Sequence, residues 1–322
     1  MVLKNTFFST ILTALLGFGL GSCALFSDTL GESRPETASH SQMEGPGNVD
    51  SWAYWLQNIR IEELKGTPFD LVVIDYSRNG SSSGVFSAAE IKTLQDEGKI
   101  VLAYFSIGEA EEYRFYWQKA WETGNPSFIG PENPEWPGNY KVRYWDSRWW
   151  KTVLRPYLDR IIRAGFDGVY LDLIDSYYYW GEREGSADAM RLYADRMASL
   201  ILQIAEYGQS RKGVDFAVCI QNGLAVLSES SPDRADTLLS SLSYAAVESL
   251  FYNTTPAVRE IRMNLLELVH QADIPILNVE YIPPRKRREY TALLEEAPVP
   301  ITGFAADEDR LLDHPPDALP NK

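Results

Sequence analysis

Residues 165–172 read Gly-Phe-Asp-Gly-Val-Tyr-Leu-Asp. The glycines and the Asp-Gly step mark a turn. Val169, Tyr170 and Leu171 then form a short β-prone run that closes on a carboxylate, Asp172. Apolar residues at consecutive rather than alternating positions indicate a strand buried on both faces, the habit of a parallel sheet. An earlier segment, Phe69-Asp-Leu-Val-Val-Ile-Asp75, shares the pattern Phe-Asp-x-Val-x-aliphatic-Asp with Phe166–Asp172. Each copy runs from a loop into a buried strand that ends in an acid.

Similar runs recur at Trp52–Leu56, Ile100–Phe105, Phe216–Ile220, Ser243–Glu248, Ile276–Glu280 and Ile301–Phe304. Helical spacing lies between them. Ser87-Ala-Ala-Glu90 is a capping box opening a helix toward Glu97, with Gly98 as its stop. Trp149–Ala164, Ala187–Tyr207, Pro256–Gln271 and Pro284–Glu296 carry apolar residues at helical intervals, and Thr255 stands as N-cap before Pro256. Alternating strands and helices over about 260 residues predict a single (β/α)8 TIM barrel, residues 49–306. No GxGxxG turn follows the first strand to favour a doubly wound nucleotide fold.

The ends of the chain read differently. Residues 1–22 carry Lys4, an apolar stretch from Phe7 to Leu20 and small residues, the form of a secretory signal peptide. Leu20-Gly21-Ser22-Cys23 resembles a bacterial lipobox, which implies cleavage before Cys23 and a lipid on its sulfur. Ala24 after the cysteine, rather than Asp, leans toward an outer-membrane destination if the source is Gram-negative; otherwise the anchor places the protein at the cell surface. Residues 23–48, rich in Ser, Gly, Pro and Glu, read as a flexible tether. Residues 307–322 look like a loose tail in which Leu311 and Leu312 could dock.

Composition narrows the function. Of 322 residues, 45% are hydrophobic and 23% charged, a globular balance. The net charge of −15 argues against nucleic-acid binding, which needs a Lys/Arg excess. His40, His270 and His314 fall in the tether, at a helix end and in the tail. None follows a strand, so Ser-His-Asp and His-ligated zinc chemistry are disfavoured. No metal or organic cofactor is implied. The remaining chemistry is carboxylate chemistry.

A barrel holds its site at the C-terminal ends of its strands. The polar residues there are Asp75, Ser106 with Glu109, Asp172 with Asp175, Gln221-Asn222, Glu248, Glu280 and Asp307. Several acids on one rim suit glycoside hydrolysis, in which one carboxylic acid protonates the leaving oxygen and a second, ionised, attacks or activates water. Tyr76, Tyr104 and Tyr281 adjoin these acids, and Tyr177–Trp180 follows Asp175; such rings stack on sugar faces. The loop Pro131–Trp145 is aromatic enough either to line such a groove or to pack upon itself.

Taken together, Tyr54–Gln57, Val73–Tyr76, Ala103–Glu111, Gly165–Asp172, Gln221–Gly223, Val247-Glu248 and Val279–Tyr281 resemble glycoside hydrolase family 114, the group of the endo-α-1,4-polygalactosaminidases and their bacterial and archaeal relatives. The resemblance spans roughly residues 50–306. It implies a TIM barrel that cleaves α-linked galactosamine polymer with retention. Asp172 is then the nucleophile, with Asp175 as its rival, and Glu248 the acid/base. Asp75, Tyr76, Tyr104, Glu109, Asp175, Asn222, Glu280 and Tyr281 are expected to line the sugar subsites, in a cleft whose acidity suits a cationic amino sugar. The alternative is a lipoprotein that binds polysaccharide on the same barrel without cutting it. Cleavage of another glycan is a third reading.

Overall fold

The computed structural model describes residues 49–317. Residues 1–48, and with them the signal peptide, Cys23 and the tether, lie outside the described residues. Among the described residues no helix is long and apolar enough to cross a membrane.

Eight parallel strands form one sheet. They are β1 (Trp52–Trp55), β2 (Leu71–Ile74), β3 (Ile100–Ser106), β7 (Gly168–Asp172), β8 (Ala217–Gln221), β9 (Tyr244–Glu248), β10 (Ile276–Tyr281) and β11 (Thr302–Ala306), hydrogen-bonded in that order. The seam between β11 and β1 is bridged by side chains: Trp52 Nε1 donates to Thr302 O at 3.0 Å, and Thr302 Oγ1 to Val49 O at 2.8 Å. With helices packed between successive strands, the result is a nearly closed (β/α)8 TIM barrel. The eight expected runs match these strands with ends shifted by one or two residues.

The Phe-Asp echo has a structural cause. Asp70 Oδ2 accepts the backbone N–H of Ser51, at the entry to β1, at 2.9 Å. Asp167 Oδ2 accepts that of Val101, near the start of β3, at 2.8 Å. Each aspartate ties the foot of its own strand to the foot of its neighbour. Phe69 and Phe166 are buried beside them. Gly168 is required for a different reason, since a Cβ there would stand 2.0 Å from Ala217 O on β8.

The helices follow their caps. Ser87 Oγ accepts from Glu90 N while the Glu90 carboxylate accepts from Ser87 N, so the capping box is complete. Thr255 caps the helix Pro256–Gln271 as expected. The stretch read as one helix from Trp149 instead has a π-helical turn at Trp150–Leu154 before the regular helix Arg155–Arg163.

One feature was not anticipated. Between β3 and that helix stands a small antiparallel sheet of β4 (Glu109–Glu111), β5 (Ile129–Glu132) and β6 (Asn139–Val142), with β6 central. Its return segment packs upon the barrel: Tyr144 OH donates to Tyr193 O at 2.8 Å, and Trp145 meets Trp180 edge-on at 5.2 Å. Trp136, at the tip, is 57% exposed. The segment after β11 also docks, because Leu312 O accepts both Leu56 N and Gln57 N at 2.9 Å, closing the end of β1.

Candidate active site

The barrel lumen is filled by aromatic rings. Trp52 and Tyr54 of β1 lie 6.1 and 5.2 Å from Tyr170 of β7, and Trp52 lies 5.8 Å from Phe304 of β11. β1 and β7 are separated by two strands, so these rings can meet only through the interior. This apolar plug forms the floor beneath Asp172, Gln221 and Glu248, which end three successive strands. Tyr54 OH donates to Gln221 Oε1 at 3.2 Å, tying floor to rim.

Each of those strand ends is followed by a non-glycine residue in the left-handed region: Leu173 (φ 62°), Asn222 (φ 56°) and Ser249 (φ 52°). Such conformations are uncommon, most of all for a bulky residue such as leucine, and persist where surrounding contacts impose them. Here they turn the chain sharply away from the strand axis just after each polar residue. Gly108 permits the close approach of the first turn, since a Cβ there would stand 2.3 Å from Leu173 O.

Asp172 is held from two sides. Tyr104 OH donates to Oδ2 at 2.7 Å, and Leu173 N donates to Oδ1 at 2.7 Å. Burial, reinforced by the negative charge of Glu248, pushes its carboxyl up to about 8 despite these two donors. Glu248 is held by three bonds. Asn222 Nδ2 donates to Oε2 at 2.9 Å, Tyr281 OH donates to Oε1, and the Glu248 backbone N–H donates to Asn222 Oδ1 at 3.0 Å. From behind, Arg262 Nη1 donates to Glu248 O and Ser249 O at 3.0 and 3.1 Å. The charge of Glu248 thus helps burial to hold a proton on Asp172, and two neighbouring carboxyls of which one is protonated can supply one acid and one base.

The structure thus brings together Asp172, Glu248, Tyr104, Asn222 and Tyr281. Asp175 stands beside them, half-buried at the start of the helix Ser176–Glu184 and without a side-chain capping bond. Burial raises its carboxyl, Lys141 opposes that, and Glu248 adds to it.

The other expected subsite residues face partners of their own. Asp75 is 5% exposed and takes Arg114 Nη1 at 2.6 Å, while Arg114 Nε reaches Glu111 at 2.7 Å. Tyr76 is fully buried, its ring 4.7 Å from Tyr157 on the helix side. Glu109 is also fully buried and pairs with Lys141, with Asn133 Nδ2 donating at 2.9 Å. Glu280 is sealed from solvent, and its Oε1 accepts Phe251 N at 2.8 Å. Sequence reasoning missed Arg114, Lys141 and Arg262. Each meets its acid or carbonyl through the fold, and only the Glu111–Arg114 spacing offered a local signal.

Among the described residues, the one group of three His, Cys, Asp or Glu side chains close enough to share an ion is Asp309, Asp313 and His314 on the C-terminal segment. His314 is already paired there with Asp307 and Asp313.

A parallel barrel with two carboxylates at the ends of β7 and β9, on either side of Gln221 on β8, has the layout of a glycosidase site. The comparisons give the family. The model of glycoside-hydrolase family GH114 matches residues 32–302, and the chain belongs to that family; it is a glycoside hydrolase, with polysaccharide as its substrate class. It is 39% identical over 284 residues to an uncharacterized protein of Thermotoga maritima, covering 87% of this chain and 80% of that one. It is 42% identical over 236 residues to an uncharacterized protein of Methanocaldococcus jannaschii, covering 72% and 66%. Among solved structures, the glycoside hydrolase domain of PelA from Pseudomonas aeruginosa has the same fold, at TM-score 0.61 and 19% identity, covering 83% of this chain and 97% of that one. Ega3 from Aspergillus fumigatus, solved with galactosamine, does so at TM-score 0.56 and 15% identity, covering 82% and 92%.

Proposed function

We propose that this chain is an endo-acting hydrolase of α-1,4-linked galactosamine polymer, working with retention through Asp172 and Glu248. Glu248 protonates the leaving glycosidic oxygen while Asp172, which must first lose the proton that burial holds on it up to about pH 8, attacks the anomeric carbon as the carboxylate. Water then resolves the glycosyl-enzyme with Glu248 as base. The observation that carries this reading is the coupled pair itself: Asp172 is oriented by Tyr104 and Leu173 N, and Glu248 by Asn222 and Tyr281.

Two features support a cationic amino sugar. Asp175, close enough to Glu248 to feel its charge, leaves a carboxylate for an ammonium group. The chain as a whole carries −15. The galactosamine bound to Ega3 points the same way. A lipid on Cys23, as the lipobox-like Leu20–Cys23 implies, would anchor the enzyme at a membrane surface. The test is release of new reducing ends from partly de-N-acetylated galactosamine polymer. Wild type releases them, while Asp172→Asn and Glu248→Gln stay folded and release none. Binding without cleavage by wild type would favour a non-catalytic module, and cleavage of a different glycan would reassign the substrate.

A further inference from the structure

We propose that Glu280 is a positioning residue for Glu248: sealed on the outer side of the barrel wall, it grips the loop Ser249–Tyr252 and so fixes where the acid/base points. This rests on the role assigned above to Glu248.

Successive strand residues face opposite sides of a sheet. Tyr281 bonds Glu248 from within the groove, so its neighbour Glu280 faces the helices. Asn278, on the same face as Glu280, confirms the direction: its Oδ1 accepts Tyr290 OH, from the helix Arg287–Glu295, at 2.6 Å. Its Nδ2 donates to Val247 O at 2.9 Å, one residue before Glu248. Glu280 is therefore not a wall of the sugar groove.

What it holds is the chain leaving Glu248. Phe251 N donates to Oε1 at 2.8 Å, and the amides of Leu250 and Tyr252 flank the same carboxylate. A run of backbone N–H groups around one anion is a nest. The carbonyls of the same loop are taken by the helix Pro256–Gln271: Arg262 bonds Glu248 O and Ser249 O, and Arg259 Nη2 bonds Phe251 O at 2.6 Å. The loop is thus gripped through its N–H groups by an anion and through its carbonyls by cations. That over-determination sustains Ser249 at φ 52°.

Several groups lie near this carboxylate: Arg262 from the helix Pro256–Gln271, Tyr290 from the helix Arg287–Glu295, and Tyr252, whose OH donates to Glu289, from the loop. Burial pushes Glu280 up to about 7, while the loop amides pull it down. The nest is charged above neutrality and neutral below it.

The test uses full-length protein and two readouts. The first, amide exchange of residues 250–252 corrected for intrinsic rates, needs no substrate. Wild type should be about tenfold better protected at pH 8.5 than at pH 5.5, and Glu280→Gln should lose that difference. The second is kinetic: Glu280→Gln should lower kcat about tenfold with KM little changed and shift the pH profile, whereas Glu280→Asp should recover part of it. A Glu280→Gln enzyme with wild-type protection and an unshifted profile overturns the proposal, leaving Glu280 to packing alone. Should the variant not fold, equal protection of the wild-type loop at both pH values overturns it. Normal loop behaviour in a wild type that cleaves no glycan refutes the assigned reaction and leaves the grip intact.

Discussion

Asn222 and Glu248 are bonded to each other twice: Asn222 Nδ2 donates to Glu248 Oε2 at 2.9 Å, and Asn222 Oδ1 accepts the Glu248 backbone N–H at 3.0 Å. One amide thus fixes both the main chain and the carboxylate of the residue ending the neighbouring strand. Its own φ of 56° is a conformation that asparagine tolerates better than most residues. Asn222→Ala should cut kcat by about 10- to 100-fold, because the glutamate keeps its chemistry but loses its aim. Steady-state kinetics on a cleaved polymer checks this. A fall confined to KM would instead make Asn222 a ground-state sugar contact.

Asp172 links activity to stability. Its carboxyl lies at about 8 in the fold, far above its ordinary value of 3.8. The native state therefore binds this proton more tightly than the unfolded chain, and stability from this group declines as pH rises from about 4 to about 8. Asp172→Asn removes the decline. The variant should match wild type near pH 4 and exceed it by about 1–3 kcal/mol above pH 8, while losing turnover. Thermal melts across that range decide it. A variant less stable than wild type at pH 9 would show that Tyr104 and Leu173 N favour the anion more than burial penalises it.

Arg114 is the keystone between rim and small sheet. Its side chain is fully buried between Asp75 and Glu111, and its guanidinium also lies 4.7 Å from the Tyr113 ring. Arg114→Met would leave two buried carboxylates unpaired, at about 3–5 kcal/mol. Adding Asp75→Asn and Glu111→Gln should recover much of that loss. Urea unfolding of the single and triple variants tests the assignment. A single-variant cost under about 1 kcal/mol would mean that the acids stay solvated.

The barrel was legible because its eight strands are short, continuously buried runs, and because Phe-Asp recurs where an aspartate staples one strand foot to the next. The small sheet was not legible. Glu109–Glu111 is a three-residue strand, too short for any period, and its partners lie some thirty residues on. The site was half legible. A carboxylate at a strand end is visible in the chain, but the side of the wall it faces depends on pleat phase at the last residue. Glu280 and Tyr281 are neighbours that face opposite ways. Nor could Asp75 be told from a subsite acid, because Arg114 reaches it from 39 residues away.

The central claim is that Asp172 attacks and Glu248 supplies and retrieves the proton. Proton NMR of the first product released from an α-1,4-linked galactosamine oligomer, read before mutarotation, tests it most directly. The pair predicts an α-configured reducing end, absent with Asp172→Asn. A β-configured first product, or unchanged release by that variant, would contradict it.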